Sequence, residues 1–138
     1  MDLFGWLGRG GNAGRIIANG KFILKVHGVG RIQLSSDGEV TQGWSTNGSI
    51  ILGKWYHVVV TRAVGATAPS NFYINGLSNQ YTENQASATA GAVAGTTNVI
   101  IGNNTGQTAT FDGRISDVRV YNRVLSAAEI LAIYNSTR

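Results

Sequence analysis

The sequence predicts an all-β fold, an antiparallel two-sheet β-sandwich finished by one short C-terminal helix. Three observations carry that expectation. Only 13% of the 138 residues are charged, while 19 are Gly and Ser, Thr and Asn are abundant, a composition suited to short strands joined by tight turns. Alternating runs of β-formers recur between Gly or Asn-Gly signals. A helix-start signal stands only near the C-terminus, so no strand–helix alternation competes. The length fits one domain, residues 1–138, large enough to bury about two thirds of the unfolded surface.

Taken in order, Arg15-Ile16-Ile17-Ala18, then 21–27 (KFILKVH), then 31–35 (RIQLS) read as strands, the first two joined at Asn19-Gly20, the tightest hairpin signal in the chain. Residues 49–52 and 54–62 (KWYHVVVTR) continue the series, and 71–75 (NFYIN) ends on a second Asn-Gly, Asn75-Gly76. Residues 98–102 and 113–122 complete roughly nine strands. Residues 84–96 (NQASATAGAVAGT) lack bulky apolar groups and read as a long surface loop, and 63–70, with the only Pro, as a second. In the last strand Ile115 is out of phase with Val118 and Val120. A bulge near Ser116-Asp117 would turn all three inward and Asp117 toward solvent or an ion. Ser126-Ala127-Ala128-Glu129 is a capping box, and Ile130, Leu131 and Tyr134 form the apolar stripe of a helix of about two and a half turns.

Composition excludes several functions. Without Cys there is neither a thiolate nucleophile nor a Cys-based metal site. The net charge is +4 and the pI near 9.8, but the eleven Lys and Arg are spread singly, which describes an ordinary solvated surface and no nucleic-acid partner. No run approaches the eighteen or so apolar residues of a membrane span, so no membrane partner is expected. Residues 1–9 have neither the basic start nor the apolar stretch of a signal peptide.

Gly53 to Arg62 (GKWYHVVVTR) followed by Phe72-Tyr73-Ile74-Asn75-Gly76 resembles the paired strands of laminin G-like, concanavalin A-like jelly rolls. Ile100-Ile101-Gly102-Asn103 and 111–126 (FDGRISDVRVYNRVLS), with Glu129-Ile130, resemble that family's closing strand and helix. Four separated blocks occur in family order, spanning about residues 5–135. The resemblance implies a jelly-roll sandwich and extracellular or virion-associated work. Family members usually begin with an outer strand of some thirty further residues, beside the closing strand, which often carries an acidic calcium ligand. This chain begins at what resembles the following strand (FGWLGRGGNAGRII), as a fragment, a shortened form or a domain completed by another chain would. A sandwich closed without that strand has an exposed edge, which predicts a homodimer by edge pairing or strand exchange.

Glycan recognition needs planar aromatics to stack on sugar rings and amide or hydroxyl groups for the sugar hydroxyls. Trp44, in the polar stretch 41–48 (TQGWSTNG), and Tyr81, between Asn79-Gln80 and Thr82-Glu83, are the candidates, each with the alternative of packing on the sandwich rim. Asn103 and Asn104, opening the loop before Phe111, are candidate hydrogen-bonding partners. For a structural calcium ion, Asp117 in the expected bulge is the best single ligand. His57 reads as a core histidine, and His27 has no second ligand at metal spacing. The seven carboxylates (Asp2, Asp37, Glu39, Glu83, Asp112, Asp117, Glu129) show no strand-borne pair of the glycoside-hydrolase kind, and neither a nucleophile elbow nor a phosphate-binding loop is present. The expectation is a non-catalytic glycan-binding, lectin-like module. The competing reading is a structural or protein-interaction domain with no sugar ligand.

Overall fold

A computed structural model describes residues 2–9, 14–19, 22–28, 30–36, 41–51, 53–63, 70–80 and 98–138. Ten strands, β1 (Asp2–Arg9), β2 (Arg15–Ala18), β3 (Phe22–His27), β4 (Arg31–Ser36), β5 (Thr41–Trp44), β6 (Trp55–Thr61), β7 (Asn71–Ile74), β8 (Leu77–Ser78), β9 (Ile100–Ile101) and β10 (Gly113–Tyr121), precede one helix, α1 (Ala127–Thr137). They form two antiparallel five-stranded sheets, ordered β10-β1-β6-β7-β8 and β5-β4-β3-β2-β9, the sandwich and terminal helix expected. The two loops expected at 63–70 and 84–96 fall almost wholly outside the described residues, as does Tyr81.

One core lies between the sheets. Ile16, Ile17, Leu24, Val26, Ile32 and Leu34 of the second sheet meet Tyr56, Val58, Val60, Phe72 and Ile74 of the first, with Ile50 and Phe111 closing the ends. Central strand β6 is covered on both faces, which is why its sequence is a nearly continuous apolar run. Tyr56, Val58 and Val60 enter the core, while on the opposite face Val59 packs with Leu125 and Ile130, flanked by Tyr73, Tyr121 and Ile133. His57 on that face is fully buried, as expected of a core histidine, and its ring lies 5.7 Å from that of Tyr134. Trp55, two positions earlier, is instead half exposed.

The expected bulge is present. Phe4 pairs with Arg119 and Trp6 with Ser116, so β10 spends one residue more than β1 over that step, and Asp117 takes a φ of +54°. Aspartate tolerates this left-handed backbone better than a branched residue would. Ile115 and Val118 are thereby brought into phase on the core, whereas Val120 stays exposed at the sheet margin. The strand expected at 49–52 is not formed over its described residues 49–51: Ser49 and Ile50 lie in a bend whose Ile50 amide donates to the Gly30 carbonyl, and Ile50 plugs the core. Ser126 caps α1 with the full capping box, and the buried stripe runs through Ile130, Ile133 and Tyr134 rather than the half-exposed Leu131.

Two glycines are demanded by space. Asn75 (φ +53°) and Gly76 (φ +78°) make the tight β7–β8 hairpin, and a Cβ on Gly76 would stand 3.0 Å from Leu131 Cδ1 and 3.1 Å from Tyr134 Cδ1. At Gly14 a Cβ would fall 2.2 Å from the Phe111 Cα and the Thr110 carbonyl oxygen. That close approach lets the Arg15 amide donate to the Ala109 carbonyl, lashing loop 102–111 to β2. At the β2–β3 hairpin the Asn19 amide donates to the Phe22 carbonyl and its side chain accepts from the Phe22 amide. Asn19 thus closes the ladder, and Gly20 and Lys21 lie outside the described residues.

Candidate functional site

The strand register sorts the second sheet into two faces, because residues directly opposite in antiparallel strands share a side. Ile17, Leu24 and Leu34 form an inward row. The next row faces away from the core: Arg15 stands opposite Lys25 and Lys25 opposite Gln33, and in the backbone register Gln33 pairs with Trp44 of β5. Beside it His27 stands opposite Arg31, two positions along β3 and β4 from Lys25 and Gln33. Arg15, Lys25, His27 and Arg31 are half-buried, whereas Gln33 and Ser35 are buried although they face outward. The Gln33 amide donates to the Ser35 hydroxyl at 2.8 Å, which fixes a polar floor in place. The basic surroundings act on His27: burial, then Arg31 and Lys25, hold its imidazole below the ordinary histidine value.

Trp44 ends β5, the margin of this sheet. Its neighbour Ser45 bridges Gln80, the neighbour of Tyr81, so the two segments carrying the candidate aromatics are tied together where the margins of the sheets meet. Polar side chains lock the junction. Ser45 Oγ accepts from the Ile32 amide at 2.7 Å and bonds Ser49 Oγ at 2.9 Å, and the Thr46 amide donates to Asn79 Oδ1. Gln80 accepts from the Phe72 amide and donates to the Ser70 carbonyl. The amides beside Tyr81 therefore hold the scaffold.

Asn103 and Asn104 lie elsewhere. They follow β9, the opposite margin of the sheet, four strands or about 19 Å from Trp44. Asn103 Oδ1 accepts from the Asn104 and Ala109 amides and its Nδ2 donates to Thr110; Asn104 Oδ1 accepts from the Thr108 amide and its Nδ2 donates to Thr108 Oγ1. Both brace the loop from within.

Asp117 belongs to the other sheet. Both its carboxylate oxygens accept from Arg119, each at 3.0 Å, and this pairing, first of all, raises the Arg119 guanidinium above its ordinary value. Among the described residues no three His, Cys, Asp or Glu side chains come together. A calcium ion, which takes six to eight oxygens, would find Asp117 committed to an arginine and no further carboxylate gathered beside it among those residues. Glu129 is held likewise by Arg123, then by the Ser126 amide and hydroxyl, which push it down to about 2.

Sequence reasoning missed the Arg15–Lys25–Gln33 row and the His27–Arg31 pair. These residues are separated in the chain, and only hairpin register aligns them. The usable signal was the polar phase of strands 21–27 and 31–35.

Two antiparallel five-stranded sheets closed by a short C-terminal helix define a jelly-roll class of scaffold. The chain belongs to the concanavalin A-like lectin/glucanases superfamily, whose family model matches residues 6–131. No curated protein matches the chain. Among solved structures it is similar to the CBM40 domain of the Ruminococcus gnavus IT-sialidase, at 18% identity and a TM-score of 0.71 over 96% of this chain and 80% of that one. The same domain is also known bound to α2,3 and to α2,6 sialyllactose. It is similar to the heptameric SAP-like pentraxin of Limulus polyphemus (20% identity, TM-score 0.68, 96% of this chain and 68% of that one). It also resembles the Trypanosoma rangeli sialidase (21%, 0.65, 98% of this chain and 22% of that one).

Proposed function

We propose that this chain is a non-catalytic glycan-recognition module that binds through the outer face and Trp44 margin of its second sheet. The observation that carries the reading is the register row Arg15–Lys25–Gln33–Trp44, joined to the Tyr81 segment by the Ser45–Gln80 bridge. It offers hydrogen-bond donors beside an aromatic residue at a sheet margin, the chemistry that sugars require. The sialyllactose complexes of the similar CBM40 domain support it. Asn103 and Asn104 serve it by shaping a loop rather than by touching the ligand. Of the described carboxylates, Asp117 and Glu129 are each held by an arginine, which suits neither to general acid–base work. Work outside the cell suits such a module, and among the described residues no helix is long and apolar enough to cross a membrane.

Calorimetry against a glycan panel tests this. Wild type is expected to bind at least one glycan with a dissociation constant on the order of 10–1000 μM, as shallow, wet sites do. Trp44→Ala is expected to weaken that binding at least tenfold, and Tyr81→Ala to weaken it less. Binding to no glycan at all would favour a structural or protein-interaction role, for which the internally spent amides of Asn79, Gln80, Asn103 and Asn104 speak. An unaffected Trp44→Ala variant would remove Trp44 from the site. Calcium at Asp117 would have to displace Arg119, so EDTA is expected to leave glycan affinity unchanged.

Self-association belongs to the same reading. Edge strand β10 leaves Val120 58% exposed, and on neighbouring edge strand β9 Ile101, opposite core residue Ile17, is 52% exposed. We infer that two copies cover this flank by edge pairing, and light scattering showing only monomer at high concentration would overturn it.

A further inference from the structure

The outer face of the first sheet carries a cluster that strand register assembles beyond the end of the helix. Tyr56 and Val58 enter the core, so Trp55 and His57, alternating with them on β6, face the other way. Helix α1 covers part of that face: Ile130 packs with Val59, and the Tyr134 ring lies 5.7 Å from that of His57. One step further along β6 the cover stops, and Trp55 is 46% exposed. Trp55 stands opposite Gly8 of β1, and Gly8 opposite Arg114 of β10, so the three share one side. Ser116, two positions along β10, lies on that side as well. Glycine at the middle position leaves bare backbone between an aromatic and an arginine, and glycine inside a strand often marks the close approach of a ligand. The side chains around it are open. Trp55, Arg114 and Ser116 are all exposed, and none makes a side-chain hydrogen bond, ion pair or ring contact with the described residues. Gln80, Asn103 and Asn104, by contrast, spend their amides on the scaffold, and Arg119, the other arginine of β10, is engaged by Asp117.

We propose that Trp55, Gly8, Arg114 and Ser116 form a second sugar-binding site, on the outer face of the first sheet, which takes one neutral pyranose unit. Indole offers a flat apolar surface to the C–H face of a sugar ring, and the bare Gly8 backbone lets the ring come down between the two walls. Arg114 supplies donors only, whereas the Ser116 hydroxyl both donates and accepts, as each sugar hydroxyl does. A ligand rich in hydroxyls uses all of these groups. An anion would use the guanidinium alone and would meet the Asp117 carboxylate on the same strand. Strands β6 and β10 lie two strand spacings apart, about 10 Å, which suits a single ring. The site stands apart from the Trp44 margin, which belongs to the other sheet, and holds whether or not that margin binds.

Nitrogen–proton NMR of the full chain tests this, because the indole N–H groups of Trp6, Trp44 and Trp55 report separately. The probes are lactose, maltose and cellobiose at millimolar concentration, with sialyllactose as a charged comparison. At least one neutral probe is expected to shift the Trp55 indole and the Gly8 amide along one saturating curve. Trp55→Ala should abolish the response at Gly8, Arg114→Gln should weaken it several-fold, and Trp44→Ala should leave it as it was. Wild-type spectra alone locate the sugar, so the test survives a variant that fails to fold. A probe that moves Trp44 and never Trp55 would overturn the second site and keep the glycan reading. One that moves Trp55 and not Trp44 would uphold the second site while giving the Trp44 margin no support. Sialyllactose shifting the Trp55 signal at lower concentration than lactose does would overturn the neutral-sugar assignment. Spectra unmoved by every probe would overturn the second site and leave the patch to a protein partner.

Discussion

Imidazole 57 has a charge state set by its place under the helix. Burial pushes His57 down to about 4; Asp117 works against that shift and Arg119 adds to it. The native state thus keeps His57 neutral at pH values where the unfolded chain, with an ordinary value near 6.5, takes up a proton. The stability this favours is fully present above about pH 6.5 and is lost as pH falls through the window down to about 4, on the order of 3 kcal/mol in all. Denaturant titrations across that window should show a steep decline in wild type and a shallower one in His57→Phe, which fills similar volume without titrating. Parallel slopes for the two would mean that His57 takes up its proton while folded. A single residue is also where sequence reading was most secure in kind and least secure in surroundings. That His57 is a core histidine followed from its strand, whereas its contact with Tyr134 depends on where a distant helix docks.

Helix α1 is held by two local devices whose contributions can be separated. Removing the cap with Ser126→Ala should cost about 1 kcal/mol, or roughly 4 °C in melting temperature for a chain of this size. Gly76→Ala meets both the penalty of a φ of +78° and the Leu131 and Tyr134 side chains. Gly53→Ala, at a φ of +72°, meets open space. Each should lose about 1 kcal/mol or more from backbone strain, and the excess at Gly76 measures how closely the helix is docked. Equal losses would show that the helix yields freely. At this scale the chain was readable wherever the signal was local: the Ser126/Glu129 box, the Asn75-Gly76 turn and the Asp117 bulge all follow from neighbours in sequence. The expected strand at 49–52 failed because Ile50 plugs the core as part of a bend, so its apolarity reflects burial and not pairing. Of the candidate aromatics, Trp44 falls at the end of margin strand β5 and Tyr81 lies outside the described residues. The cationic rows are assembled by register among residues up to sixteen apart in number, and Asn103 and Asn104, though polar and grouped, are spent on their own loop.

At the scale of the molecule the two flanks of the sandwich differ. One is fastened by the Ser45–Gln80 bridge and its serine and amide bonds, while β9 and β10 line the other with exposed aliphatic groups. Amide hydrogen exchange should accordingly be slowest in β6 and β3 and fastest in β9 and along the outer side of β10; uniform protection would argue that the second flank is covered in solution. The position of β1 carries a further consequence, for the order of events in synthesis. This strand lies between β6 and β10, so it can complete neither ladder until β6, and then β10, has been made. Refolding should therefore be slow for the chain's length, in the range of milliseconds to seconds typical of non-local β topologies, and a nascent chain halted before residue 113 should expose one edge of β1 to whatever extended segment is nearest.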